Sequence, residues 1–198
     1  MNDATNKFLG ASLWVTLAVF VVRCAYSWVV LNGYIVGTIS AFETGYNLIS
    51  FAGESIAVST FFMWIFNNWA WKCSWLNRIA GGMPVLSERY EGTITFVWEG
   101  REQHRTSTIK IKQTFLSISV TLTTNESSSA SVTASIETIH NEENLVYIYL
   151  NTPKAELQDR STIHYGTAVL CVEDPNRLTG NYYTSRLTRG SMDFIAVD

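Results

Sequence analysis

Two transmembrane α-helices followed by an all-β domain, an antiparallel meander closing into an approximately eight-stranded β-barrel, is the fold class that this sequence predicts. Three observations lead there. Two apolar runs of bilayer length precede residue 67. Composition then shifts: six of the seven tryptophans come before residue 76, while Thr and Ser accumulate beyond residue 90. From residue 93 on, short alternating stretches are separated by polar turns. Charge tells the same story, because Arg23, Glu43 and Glu54 are the only charges between Lys7 and Lys72, whereas eleven Lys or Arg and fourteen Asp or Glu lie from residue 76 onward. The first part is built for lipid and the second for water.

The first run, residues 11 to 31, is broken only by Arg23, and its twenty-one residues are enough to cross a hydrocarbon core of about 30 Å at about 1.5 Å per residue. A secretory signal is the rival reading. Its length, its internal arginine and the lack of a small-residue cleavage site argue against that. The second run, residues 48 to 66, again holds one charge, Glu54. Residues 32 to 46 between them are too apolar for a free loop and too broken by glycine for a span. Behind the second run stand Trp69, Trp71, Lys72, Trp75 and Arg78, an aromatic belt backed by cations. With Lys7 on the other flank, the positive-inside rule puts both ends of the chain in the cytoplasm.

Gly81-Gly82-Met83-Pro84 interrupts every periodic pattern, since glycine frees the backbone and proline removes a donor. The expected organisation is a membrane region over 1 to 75, a linker over 76 to 87 and a β-domain over 88 to 198. Strands are expected at 93–98, 107–113, 115–124, 130–139, 145–151, 163–172, in the stretch 178–194 and at 192–197. Turn chemistry separates them, as at Glu99-Gly100, Asn141-Glu142-Glu143-Asn144 and Asp174-Pro175-Asn176. The apolar positions are odd up to Ile111 and even from Leu116, so a bend, or a break between two strands, falls near Gln113 and Thr114. Short connections favour a meander, and closure of eight strands removes the exposed edges and leaves room for one small ligand. A seven- or eight-stranded sandwich satisfies the same periodicity.

The chemistry is that of binding. Net charge over the β-domain is negative, which excludes the basic field that polymeric nucleic acid requires. Cys24, Cys73 and Cys171 lack paired spacing, so neither disulfide nor zinc is expected. His104, His140 and His164 have no metal-ligand spacing, and no nucleophile or phosphate-loop motif is present. The sequence does not read as an enzyme's. Three strand faces mix rings, hydroxyls and amides: Tyr147, Tyr149 and Asn151; His164 and Gly166; and Gly180, Tyr182, Thr184 and Arg186. A barrel brings such faces around one cavity, where a guanidinium suits phosphate or carboxylate and a ring suits a planar base. The same alternation also describes ordinary half-exposed sheet faces. Within the spans, Arg23 and Glu54 each cost about 2.5 to 3.5 kcal/mol at mid-membrane, and their depths agree to about 3 Å, which suits a pair. Snorkelling to an interface is the alternative.

The combination of TIKIKQTFLSISVTL (108 to 122), SSASVTASI (128 to 136), YIYLNTP (147 to 153), HYGTAVL (164 to 170) and LTGNYYTSRLTRGSMDF (178 to 194) behind two spans resembles the SMODS-associating effectors with two transmembrane helices and a β-strand-rich domain. These are membrane effectors of bacterial cyclic-oligonucleotide anti-phage (CBASS) systems. The resemblance implies a multi-pass protein of the bacterial inner membrane whose β-barrel binds a cyclic dinucleotide, with no other cofactor. It adds Thr167 and Tyr183, from the quoted motifs, to the ligand-binding set. It further implies self-association of the spans into a homo-oligomer, disruption of the lipid bilayer and abortive infection. A lipocalin-like carrier tethered to the membrane, or a scaffolding barrel, are the alternatives from other classes. A carrier should line its cavity mainly with Leu, Ile and Phe.

Overall fold

A computed structural model describes residues 3–34, 41–159 and 161–197. The chain divides into two compact units, Met1–Gly81 and Gly82–Asp198.

The first unit is a pair of long helices, α1 (Asp3–Tyr34) and α2 (Ala41–Asn68). Their apolar stretches, Thr5–Val30 and Glu43–Asn68, are long enough to cross a membrane. With no proline in either helix the hydrogen-bond ladder runs unbroken, as hydrocarbon demands. Large side chains such as Leu13, Trp14, Val22, Trp28 and Ile49 point outward, which suits lipid and would be unfavourable in water. The seam between the helices buries small hydroxyls instead. Ser55 donates to the Phe51 carbonyl at 2.6 Å and Ser59 to that of Ser55, so neither needs a partner from α1. Phe8 meets Phe66 with ring centroids 6.2 Å apart, as in an antiparallel hairpin.

Both helices outrun the expected spans, because the flanking polar residues continue the ladder. Residues 41 to 46, expected in the connection, already belong to α2, and 35–40 of that connection lie outside the described residues. A 3-10 turn (Ala70–Lys72) and a short helix α3 (Ser74–Ala80) follow. The expected linker over 76 to 87 is therefore helical as far as Ala80, and the units part at Gly81, where φ is 124°.

The second unit is a closed barrel of β1 (Arg89–Trp98), β2 (Arg101–Gln113), β3 (Ile118–Thr124), β4 (Ser127–Ile139), β5 (Glu142–Pro153), β6 (His164–Cys171), β7 (Arg177–Thr184) and β8 (Arg189–Ala196). Each strand runs antiparallel to the next, and β8 returns to β1 from Tyr90↔Ala196 to Phe96↔Gly190. This excludes the sandwich. Glu99-Gly100 and His140-Asn141 make two-residue turns with positive φ throughout, whose twist matches that of the strands they join. The second of these lies one residue earlier than the turn expected at Asn141 to Asn144. The change of parity near Gln113 is a true break between strands, where the Thr114 amide donates to the Ser117 carbonyl at 2.8 Å. A bulge between Ser131 and Thr133 bends β4.

One reading needs correction. Residues 178–194 are not a single strand. Thr184 to Thr188 form a tight turn, held by the Leu187 amide on the Thr184 carbonyl at 3.0 Å and the Thr184 amide on the Thr188 carbonyl at 2.9 Å. Leu187 takes φ 63° and stands almost fully in solvent. Arg186 therefore projects from a hairpin tip rather than from a strand.

Inward positions fill one end of the barrel with Tyr90, Ile109, Ile111, Val120, Leu145, Leu170, Leu178 and Phe194. The chain entering from residue 82 closes that end: Gln113 accepts from the Leu86 amide at 2.9 Å and donates to the Pro84 carbonyl at 2.8 Å. The Tyr90 hydroxyl donates to the Pro175 carbonyl at 2.6 Å and accepts from the Ser87 amide at 2.9 Å. Burial raises that phenol above its ordinary pKa, so it remains a donor.

Candidate ligand-binding cavity

Above this apolar floor the same strands carry different residues, and the barrel opens into a cavity of about 420 Å³. In β5 the inward series Leu145, Tyr147, Tyr149, Asn151 passes from floor to mouth. Opposite it in β6, the series Leu170, Ala168, Gly166, His164 grows from apolar to polar in step. Small residues face large ones for a reason. A Cβ on Gly166 would collide with the ring of Tyr149, its cross-strand partner, so glycine there makes the space that the ring occupies. Gly190 does the same for Tyr182, whose ring edge would lie 2.7 Å from an added Cβ.

The rings form the middle layer. Tyr147 and Tyr149 stand 5.8 Å apart at 46°. Burial pushes both phenols well above their ordinary pKa, and each nearby tyrosine adds to this, Tyr149 for the first and Tyr182 for the second. Tyr182 is also raised by burial, against an opposing pull from the positive charge of Arg105. All three therefore keep their protons at neutral pH. The Tyr147 hydroxyl is buried without a hydrogen-bond partner among the described residues.

Polar groups form the mouth. Asn151 donates to Ser127 Oγ at 3.0 Å and to Ser129 Oγ at 2.8 Å, which locks its amide and aims its carbonyl oxygen elsewhere. His164 Nδ1 lies 2.7 Å from the Thr162 carbonyl. A carbonyl only accepts, so Nδ1 carries a proton and Nε2 is the ring nitrogen left for other partners. Arg186 Nη1 donates to Ser161 Oγ at 2.8 Å, tying the β7–β8 turn to the β5–β6 connection. Thr184 and Thr188 hydroxyls meet at 2.6 Å beneath it. Across the mouth, Arg105 pairs with Glu126 at 3.0 Å and lies over the Phe96 ring at 5.6 Å.

Of the residues expected to bind ligand, Tyr147, Tyr149, Asn151, His164, Tyr182, Thr184 and Arg186 line this one cavity. Gly166 lies inside, behind the Tyr149 ring. Thr167 and Tyr183 do not reach it: they pair with each other across β6 and β7 with side chains on the outer face, one residue out of phase with the lining set. Sequence reasoning missed Phe96, Gln103, Arg105 and Ser129, which the cavity includes. A signal existed for two of them. Gln103 and Arg105 continue, backward along one strand, the odd-numbered face on which Ile109 and Ile111 are buried. In the helical unit, Arg23 Nε stands 2.7 Å from Glu54 Oε2.

Two comparisons with known proteins bear on this architecture. Residues 82–195, nearly the whole second unit, match the family model described as "Cap15, cyclic dinucleotide receptor domain". The chain is also 30% identical over 192 residues to the CD-NTase-associated protein 15 of Staphylococcus schleiferi, covering 97% of each chain. The chain belongs to the Cap15 family. In Cap15 terms the matched stretch begins at Gly82, where the helical unit ends, and the relative spans the apolar helices as well as the barrel. The stretch that matches the receptor domain is thus the closed eight-stranded barrel itself, which follows the two apolar helices in one chain.

Proposed function

We propose that this chain is the membrane effector of a bacterial CBASS system. Its barrel takes up a cyclic dinucleotide made by a partner nucleotidyltransferase, and its helices then self-associate in the inner membrane and breach it, ending the infection with the host cell. The observation that carries this reading is the cavity itself, in which Arg186 and Arg105 line the mouth and Tyr147, Tyr149 and Tyr182 the wall of a barrel sealed at its other end. A cyclic dinucleotide offers two anionic phosphates to a guanidinium and two planar bases to tyrosine rings. Asn151 and His164 supply a carbonyl oxygen and a ring nitrogen for base edges. The volume lies within the range of about 300 to 1,000 Å³ typical of small-molecule sites. A carrier of apolar ligands is disfavoured, because Gln103, Arg105, Glu126, Asn151, His164 and Arg186 would all be desolvated by an alkyl chain.

Orientation follows the cations: Lys7, Lys72 and Arg78 on one side put the barrel and the N-terminus in the cytoplasm, where the nucleotide is made. The test is reconstitution of the full chain in dye-loaded vesicles, with a panel of cyclic dinucleotides and their linear counterparts added outside. Release with one cyclic member and none with its linear form is expected. Release that ignores nucleotide, or binding without release, defeats the effector role. Residues 85 to 198 expressed alone should leave cells alive.

A further inference from the structure

Arg23 and Glu54 have no role in the cavity, and they are costly where they stand. They pair at 2.7 Å within one chain, with the Phe51 ring 4.3 Å beneath the guanidinium. The pair is not sealed inside the helix seam. Its side chains remain 35% and 49% exposed, whereas the seam is filled by Ser55 and Ser59, which satisfy themselves on their own helix. Arg23 stands about 10 Å inside the end of its apolar stretch at Val30, at about 1.5 Å per residue. One flank of an ion pair therefore faces hydrocarbon, which supplies none of the remaining hydrogen bonds that two buried charges require.

We propose that this flank is the surface through which the helices of one copy dock onto those of a second copy. The result is a neutral cluster of two arginines and two glutamates between them. The proposal rests on the reading above in that assembly of the spans is what the nucleotide promotes. Charge complementarity selects the occupant. A twofold axis along the membrane normal keeps both copies at one depth and in one orientation, and it reverses the direction from Arg23 to Glu54. Each arginine then meets the other copy's glutamate. Lipid tails or an apolar helix leave these groups uncovered, whereas a second copy brings matching charges at the matching depth. Tyr26, 6.0 Å from the guanidinium and itself exposed, borders the same patch and adds a hydroxyl to it.

The test measures energy transfer between labelled full-length copies in lipid vesicles without nucleotide, at protein densities raised until the natural protein associates by mass action, so it stands whether or not the barrel binds a cyclic dinucleotide. Calorimetry on the same samples reports binding separately. Arg23→Glu chains alone, and Glu54→Arg chains alone, should associate at least about tenfold more weakly than the natural protein, since each repels its own kind. Mixed in equal amounts they should associate with each other, because the cluster is again neutral across the interface. The neutral double variant, Arg23→Leu with Glu54→Leu, inserts without a charge cost and should also associate more weakly. A mixture as weak as its components, or a double variant that associates like the natural protein, overturns the proposal and leaves the pair as an intrachain contact met by headgroups or water.

Discussion

The two ends of the barrel are built on the same eight strands with the same alternation, yet one end is a packed core and the other a chamber. At the floor the inward residues are Tyr90, Ile109, Val120, Leu145, Leu170, Leu178 and Phe194, all essentially out of solvent. A few residues along those strands the inward places fall to Phe96, Arg105, Thr124, Asn151, His164 and Tyr182. The same closed ladder of strands runs through both ends, and what changes along it is the inward side chains. Stability and recognition are therefore separable along the strand axis: changes at the floor should unfold the domain, and changes at the mouth should empty it.

The largest effect is expected at the floor. Phe194→Ala should cost about 3 to 5 kcal/mol of folding stability, read from denaturant unfolding, through lost burial and the cavity left behind. A loss below 1 kcal/mol would mean that the floor is not a packed core. At the mouth, Arg186→Ala removes a charge-assisted contact and should weaken nucleotide binding by about 1.5 to 3 kcal/mol, or roughly ten- to a hundredfold, with unfolding unchanged. A variant that binds normally, or that unfolds, breaks the separation. Gly166→Ala sits at the joint of the two ends and sharpens the contrast. The added methyl meets the Tyr149 ring, which must shift, and overpacking should cost about 1 to 3 kcal/mol of stability and weaken binding together.

The smallest effect concerns neither end. On the outer wall Asp193 accepts from Arg177 at 3.0 and 2.8 Å, and that bond holds its carboxyl below the ordinary pKa. A depressed pKa stabilises the fold above the unfolded value, and the gain is lost as pH falls through the folded one. Melting of Asp193→Asn should therefore trail the natural protein slightly at neutral pH and converge with it in acid. The pair is exposed, so the gap is small.

Much of this was legible in the residues because period and composition are local. Strand number and the run of Tyr147, Tyr149 and Asn151 along one face follow from alternation, and the spans follow from length and charge depletion, whereas closure rests on the pairing of β8 with β1, which a sandwich of the same periodicity would lack. The turn at Thr184 to Thr188 was not legible, because TSRLT carries no glycine or proline and Leu187 accepts a left-handed conformation only where the hairpin imposes it. Arg105 escaped notice since REQHRTST is polar throughout, and its inward face shows only when the odd-numbered positions are followed back from Ile111 and Ile109. Alternation alone puts Tyr183 on the face opposite Tyr182, where it lies, and it was the resemblance that added it to the ligand set. Helix α3 hid in a stretch whose tryptophans read as a belt.

The claim that the mouth is a nucleotide receptor is tested most directly by melting the full chain in detergent with a panel of cyclic dinucleotides and, in parallel, a long-chain fatty acid. One cyclic dinucleotide, present at about 100 times its dissociation constant, should add about 2.7 kcal/mol of stability, and Arg186→Ala should lose most of that gain at the same concentration. A panel in which no nucleotide raises the melting temperature while the fatty acid does would contradict the account and return the barrel to the carriers.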